Sequence, residues 1–94
     1  MLFRSFAQAL SYYDKALALQ PQDVNMRLLI AHVASWNRDF PKAVTMLQGL
    51  VAQSPENMDY RGELARNLGW AGRNTEAVEQ YREILKRKDR KSVV

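Results

Sequence analysis

The sequence of residues 6–23 is FAQALSYYDKALALQPQD, and its apolar residues recur at spacings of three and four. One face of this segment carries Phe6, Leu10, Tyr13 and Leu17. This spacing predicts an amphipathic α-helix. The helix is expected to end before Pro21, because proline lacks the amide hydrogen that a helix interior needs. Asp23 follows at a position that favours capping of the next helix.

The number of residues that separates Trp36 from Trp70 also separates other pairs of similar residues along the chain. The sets that share it are Trp36 and Trp70; Pro21 and Pro55; Ala9, Ala43 and Ala77; and Tyr13, Leu47 and Tyr81. A fixed period of this kind indicates stacked two-helix units. The predicted helices are Phe6–Leu19, Asp23–Trp36, Phe40–Ala52, Asn57–Ala71 and Thr75–Lys86. We therefore expect an all-α superhelix of antiparallel helix pairs, a solenoid of five helices.

The segments between the helices carry stop and start signals. Asp39 and Asn57 are residue types that cap helix N-termini. Gly72 is suited to the left-handed conformation that often ends a helix, and Asn74 is expected to cap the last helix. Small residues let neighbouring helices approach closely, and we expect this of Ala31, Ala43, Ala65 and Ala77.

The repeat resembles the tetratricopeptide repeat. That family pairs an alanine with an aromatic residue four positions later, as in Ala9 with Tyr13, and follows its second helix with a proline such as Pro21. Arg27 and Arg61 replace the aromatic residue usual in the first helix. The resemblance implies about two and a half repeats: residues 1–23 as the second half of one, residues 24–57 as a full one, and residues 58–91 as a full one. The last is degenerate at its end, where Asp89 replaces a third proline.

The resemblance also implies a function, because first helices in this family line a concave face that binds a partner protein or peptide. The corresponding residues are Asn25, Leu28, His32, Ser35, Asp59, Gly62, Arg66 and Gly69. Arg66 is expected to be the most exposed polar anchor. Leu28 and Glu63 stand where a clamp for acidic peptide tails would need polar or basic residues, which argues against that specificity. A structural spacer, packed only against neighbouring repeats, is the alternative.

Trp36 and Trp70 occupy equivalent repeat positions near the ends of their helices. Such residues often serve packing between repeats. They are also enriched where proteins bind each other, so an aromatic ledge for a bound peptide is the second interpretation.

The charge distribution favours a neutral body with a basic end. Residues 1–81 carry eight basic and eight acidic side chains, while residues 82–94 carry six basic and two acidic ones, which gives the net charge of +4. This end could contact RNA or an anionic surface. It lacks interleaved aromatic residues for base stacking, so nucleic-acid binding is the less favoured alternative.

The sequence contains no recognisable catalytic motif. We therefore expect no enzyme activity, no cofactor and no metal site. The chain has no cysteine and one histidine, His32, which is predicted to be a surface or interfacial residue. Glu76, Glu79 and Glu83 lie near arginine and lysine at helical pairing distances. They therefore predict a salt-bridged helix face, with Glu83 and Arg87 as one pair.

Three expectations concern the whole protein. The register begins inside a repeat, so the chain is predicted to be a piece of a longer solenoid whose exposed N-terminal helix could self-associate. The segment GWAGRNTEAVEQYREIL resembles repeats of bacterial envelope and exopolysaccharide-export proteins, which implies a periplasmic location, with the cytoplasm as the alternative. No apolar run reaches the roughly 20 residues of a membrane-spanning helix.

Overall fold

The computed structural model describes residues 5–92, with the side chains of residues 5–88, as a stack of helices. The helices are α1 (Phe6–Leu19), α2 (Val24–Trp36), α3 (Phe40–Gln53), α4 (Met58–Trp70) and α5 (Asn74–Ser92). No strand occurs within residues 5–92, so the predicted all-α fold of five helices is confirmed. Residues 1–4, the predicted start of the first unit, lie outside the described residues.

Each helix packs on the helix that follows it in sequence. The connections are only three or four residues long, which makes successive helices antiparallel neighbours. The resulting body is elongated, with extents of 48 × 27 × 18 Å. Packing that is concentrated between helices adjacent in sequence is typical of a solenoid. None of the described helices is both long and apolar enough to cross a membrane.

Side-chain caps begin four of the five helices. The cap residues are Ser5, Asp23, Asp39 and Asn57. Each side chain accepts a hydrogen bond from the backbone amide three residues later, at 3.0–3.3 Å. Such a bond satisfies an amide that the helix itself leaves unpaired. The predicted caps Asp23, Asp39 and Asn57 are therefore confirmed.

The start of α5 differs from the prediction. Asn74 is the first helical residue and not the cap, because the repeat register places Arg73 at the position that Asp39 occupies one unit earlier. The Arg73 side chain instead donates two hydrogen bonds to Glu76, at 2.8 and 2.7 Å. These hydrogen bonds, with the nearby positive charge, hold the pKa of Glu76 below its usual range.

The C-terminal part of α5 also differs from the prediction. The helix was expected to end at Lys86 but continues to Ser92. Lysine and arginine favour helix, and no proline or glycine interrupts residues 87–92. A Glu83–Arg87 ion pair of 3.3 Å adds one turn-to-turn contact, as predicted. The basic end is thus a continuation of the helix, although the side chains of residues 89–94 lie outside the described ones.

Two helix ends need a left-handed residue, and they use different residue types. Gly72 has a φ of 82°, as the sequence predicts, while Arg38 occupies the equivalent position with a φ of 61°. At each end the next residue donates its amide hydrogen back into the preceding helix over 2.8 Å, from Arg73 to Leu68 and from Asp39 to Ala34. Because a Cβ is strained in this conformation, Arg38 costs free energy that Gly72 does not.

The core consists of two clusters that Met46 joins. One is built around α1, α2 and the start of α3, and the other around α3, α4 and α5. The four alanines expected at close helix approaches, Ala31, Ala43, Ala65 and Ala77, are all buried. Leu47 and Leu50 of α3 are only 1% exposed, so the apolar face of the middle helix is almost fully covered.

Arg27 and Arg61 are equivalent in the repeat but unequal in their surroundings. The Arg61 side chain is buried and donates to the Pro55 carbonyl at 2.7 Å and to Gln80 of α5 at 3.0 Å. Arg27 donates at 3.1 Å to Gln53, and its guanidinium lies over Gly49, where a Cβ would overlap it. Arg61 thus ties α4 to both of its neighbouring segments, while Arg27 spans α2 and α3 at the surface.

The two ends of the stack expose different amounts of apolar surface. In the α1 stripe Phe6 is 46% exposed and Leu10 is 6% exposed, while Tyr13 and Leu17 are partly buried against the cluster of α1, α2 and α3. On α5 the equivalent residues Val78, Tyr81 and Leu85 are all exposed. The stripe is therefore more open on α5 than on α1, the N-terminal helix that the sequence predicts to be exposed.

Arg38→Gly is expected to stabilise the protein by about 0.5–1 kcal/mol. The relief of the left-handed strain, about 1–2 kcal/mol, exceeds the added freedom of glycine in the unfolded chain, about 0.5–1 kcal/mol. Urea unfolding followed by circular dichroism measures the difference. The reciprocal variant Gly72→Arg serves as the control and should lose stability. Equal midpoints for Arg38→Gly and the wild type would contradict the prediction.

Arg61→Ala is expected to destabilise the protein by about 2 kcal/mol, because it removes two hydrogen bonds of a buried cation. The matched variant Arg27→Ala should cost less, about 0.5–1 kcal/mol, since its single bond is exposed to solvent. The same unfolding experiment compares the two. An equal loss of unfolding free energy for both variants would show that the burial of Arg61 does not increase its contribution to stability.

Candidate functional site

A groove of about 430 Å³ lies between the first helices of the two complete units. Its lining combines Leu28 of α2 with residues of the α3–α4 turn and α4: Asn57, Met58, Asp59, Tyr60, Gly62, Glu63 and Arg66. The cap at Asn57 fixes where α4 begins, and the helical spacing of Asp59, Gly62 and Arg66 puts them on one face. Gly62 has no side chain, which leaves room beside Arg66.

The eight residues predicted for the concave face do not all line this groove. Four of them do: Leu28, Asp59, Gly62 and Arg66. Asn25 is exposed on α2, and His32 lies on α2 beside Glu63. Ser35 and Gly69 line two further cavities toward the ends of α2 and α4. The predicted face is thus divided among neighbouring cavities along one side of the stack.

His32 and Glu63 connect the two units. The His32 Nε2 lies 3.0 Å from both carboxylate oxygens of Glu63, and both side chains are partly buried. This contact is absent from the sequence prediction because the two residues lie far apart in the chain, on different helices. The sequence contained one indication of this contact. Arg66 occupies the position of His32 in the next unit, and Glu63 lies one helical turn before Arg66.

Arg66 presents a free cation to the groove. Its side chain is exposed and forms no hydrogen bond or ion pair within the part of the chain that the structure describes. A Cβ built on Gly62 would lie 3.9 Å from Nη1 of Arg66, so the guanidinium extends along the glycine. An unpaired guanidinium can bind a carboxylate through two parallel hydrogen bonds. Asp59, exposed at the start of the same face, gives the groove charge of both signs.

The two tryptophans flank a second cavity beside the groove. Trp36 and Trp70 are 62% and 57% exposed, and they line a cleft of about 480 Å³ together with Ser35, Arg38 and Phe40. The ring centroids of Phe40 and Trp70 are 5.6 Å apart, and those of Phe6 and Trp36 are 6.0 Å apart. Both predicted roles therefore have a physical basis, since each indole packs on a phenylalanine and also faces solvent.

Phe6 and Phe40 are the site residues that the sequence reasoning missed. The interval between them equals that between Trp36 and Trp70, so the repeat period was the signal that could have found them. Each is the first residue of the second helix of its unit. Each contacts the tryptophan of the following unit: Phe6 contacts Trp36, and Phe40 contacts Trp70. Asn74 takes their place on α5. The phenylalanine–tryptophan contact therefore occurs at α1 and at α3 but has no equivalent at α5.

The described residues offer no metal-binding cluster. No cluster of three or more histidine, cysteine, aspartate or glutamate side chains lies close enough to hold a metal ion there. Glu83 pairs with Arg87, as the sequence predicts, and Glu76 pairs with Arg73, which the sequence did not predict.

Antiparallel helix pairs that recur with one fixed period, with a groove along their first helices, define a helical-repeat scaffold. A family model described as tetratricopeptide repeat matches residues 3–53, which is more than half of the chain. The chain belongs to the tetratricopeptide repeat family. Repeats of this family generally mediate protein–protein interaction and form non-enzymatic scaffolds. No curated protein matches the chain in sequence.

The His32–Glu63 contact is expected to contribute only about 0.5 kcal/mol, because both side chains are reached by solvent. A double-mutant cycle with His32→Ala, Glu63→Ala and the double variant isolates that coupling. Urea unfolding gives the four free energies of unfolding. A coupling above about 2 kcal/mol would instead make this pair a main connection between the units, and His32 could then not be used as a neutral probe of the groove.

Proposed function

We propose that the concave face between α2 and α4 binds an extended or helical segment of a partner protein. The observation that carries this proposal is the exposed, unpaired guanidinium of Arg66 in an open groove. A cation held beside a glycine, with no partner among the described residues, is suited to a carboxylate that arrives from outside. The protein thus acts as an interaction module, with no catalytic step.

The neighbouring aromatic cleft supports a partner of mixed chemistry. Trp36, Phe40 and Trp70 offer apolar rings to solvent next to the polar groove. Tryptophan and arginine are the residue types most enriched where protein interfaces concentrate their binding energy. We infer a segment that places an acidic side chain or a C-terminal carboxylate at Arg66 and an apolar side chain between the two indoles.

Two other functions from the sequence analysis stay open to the same experiments. A structural spacer would tolerate changes at His32, Asp59 and Arg66, because its faces meet only other repeats. Contact with RNA or an anionic surface through the basic end of α5 would weaken steeply with added salt. A location in the bacterial envelope also remains a prediction, since membership of this family carries no location.

Arg66→Glu is expected to weaken partner binding by at least about tenfold, because a bidentate charge-assisted hydrogen bond is replaced by repulsion. The partner is first trapped from extracts of the source organism with a photo-crosslinking residue placed at Asp59. The same crosslinker at Gln48, an exposed position on α3, shows the background. Affinity for the purified partner is then measured by titration calorimetry.

Lys15→Glu is the matched control, since it makes the same change in net charge at an exposed position on α1. Unchanged helicity of both variants separates loss of binding from loss of folding. Equal affinity of Arg66→Glu and the wild type, or a crosslink pattern that is the same at Asp59 and Gln48, would refute groove binding and support the spacer.

A further inference from the structure

The turn after α2 contains a strained residue, Arg38, where glycine would serve the fold equally well. Arg38 has a φ of 61°, and the equivalent residue one unit later is Gly72, which adopts the left-handed conformation without a Cβ. Residues held in strained backbone conformations cluster at functional sites. The strain at Arg38 therefore points to a role for its side chain.

The Arg38 side chain lines the cleft of about 480 Å³ between the two indoles, and it has no partner there. It is exposed and forms no hydrogen bond or ion pair within residues 5–88. None of the residues that line the cleft is acidic. Asp39, next in sequence, accepts a hydrogen bond from the amide of Lys42. The cleft thus combines apolar rings with an unpaired positive charge, so its complement is an anion that carries an apolar group.

The end of α2 leaves room for an anion beside Arg38. Unpaired carbonyl groups at a helix C-terminus repel an anion. Here the amides of residues 37–39 donate hydrogen bonds to three of these carbonyl groups, over 2.8–3.0 Å. Because those three carbonyl groups are already satisfied and Arg38 adds a full positive charge, we expect the cleft to favour an anion.

The two unpaired guanidinium groups lie on opposite sides of the tryptophans along the stack. Helices α2 and α4 run in the same direction, because α3 lies antiparallel between them. Arg66 precedes Trp70 by one helical turn, about 6 Å. Arg38 follows Trp36 beyond the end of α2. Since the two tryptophans are equivalent in the repeat, the order along this side is Arg66, the two indoles and Arg38.

This order determines which kind of segment fits. An extended peptide advances about 3.3 Å per residue, and its alternate side chains share one face. An acidic side chain at Arg66 therefore lies two residues before an apolar side chain at the indoles. The side chain that follows would point away from the stack, so an internal acidic residue there would not face Arg38. A terminal carboxylate on the apolar residue itself continues along the chain toward Arg38.

We propose that the aromatic cleft binds the C-terminus of the partner segment, with the terminal carboxylate on Arg38 and the last side chain between Trp36 and Trp70. The recognised sequence is an acidic residue, any residue and a terminal apolar residue. The proposal rests on the proposed function, since it takes the segment to lie along α4 with its acidic side chain at Arg66. It adds the direction of the segment and a second anion site, in a turn outside the first-helix positions that the sequence assigns to binding.

The probe is the peptide acetyl-Glu-Gly-Phe with a free terminal carboxylate, and the same peptide with a terminal amide is its control. The chain has two tryptophans and both line the cleft, so indole fluorescence reports binding there. The free acid is expected to bind at least about tenfold more tightly than the amide, because it forms charge-assisted hydrogen bonds with the guanidinium.

Arg38→Gly should abolish the preference for the free acid and still fold, since glycine fits the left-handed conformation. Arg82→Ala is the matched control, because it removes the same charge at an exposed position on α5. This control variant should keep the preference. Circular dichroism checks that both variants retain the helicity of the wild type.

The glutamate of the peptide separates this proposal from the groove proposal. Acetyl-Gln-Gly-Phe should bind the wild type more weakly than the glutamate peptide does. Arg66→Gln should remove that difference and keep the preference for the free acid over the amide. If the glutamate has no effect while the preference for the free acid depends on Arg38, groove binding at Arg66 is wrong and the carboxylate site at Arg38 stands.

Two results would overturn the proposal. One is equal affinity for the free acid and the amide, or no response to the free acid at millimolar concentrations. The other is an Arg38→Gly variant that keeps the preference for the free acid. If Arg66→Gln loses that preference instead, the terminal carboxylate lies in the groove and the segment runs in the opposite direction.

Discussion

Burial of the second helix of each unit beneath the first helix of the next is the contact on which the rest of this structure depends. Val44 and Leu47 of α3 are at most 1% exposed because α4 lies over them, and Leu10 of α1 is covered by α2 in the same way. A single helix pair cannot bury both of its apolar faces, so stability is shared between neighbours. The alanines at these contacts keep the helices close enough for the larger residues to meet.

That stacking also determines where recognition can occur. Each first helix buries one apolar face, with Ile30 on α2 and Leu64 on α4, and presents polar side chains on another face. The His32–Glu63 contact joins these two helices, and the cap at Asn57 fixes the start of the second one. Arg66 and Gly62 then face outward from a backbone that packing on the opposite side already holds. None of the residues that line the groove has a strained, left-handed backbone conformation.

The sequence was sufficient for those features that depend on residue type and period. Apolar spacing predicted all five helices, and the caps at Asp23, Asp39 and Asn57 followed from their side chains. Arg38 shows what residue type cannot reveal: the register requires a left-handed residue there, but only glycine indicates that conformation by its type. Asn74 was misassigned because capping preference was given more weight than the register, which puts Arg73 at the cap. The end of α5 was missed because charged residues were interpreted as a tail, although lysine and arginine favour helix.

The candidate site was less predictable, for a geometric reason. The repeat period tells which positions are equivalent, but the side chains that meet across units depend on how far one helix is shifted against the next. Glu63 therefore appeared as a departure from a clamp pattern and not as the partner of His32. The predicted face is divided among several cavities, and Arg66 lines both the groove and the cavity between α4 and α5. Arg66 thus borders a polar surface on the first helices and a more apolar surface between α4 and α5. Those two surfaces differ in chemistry because one faces away from the stacking direction and the other faces along it.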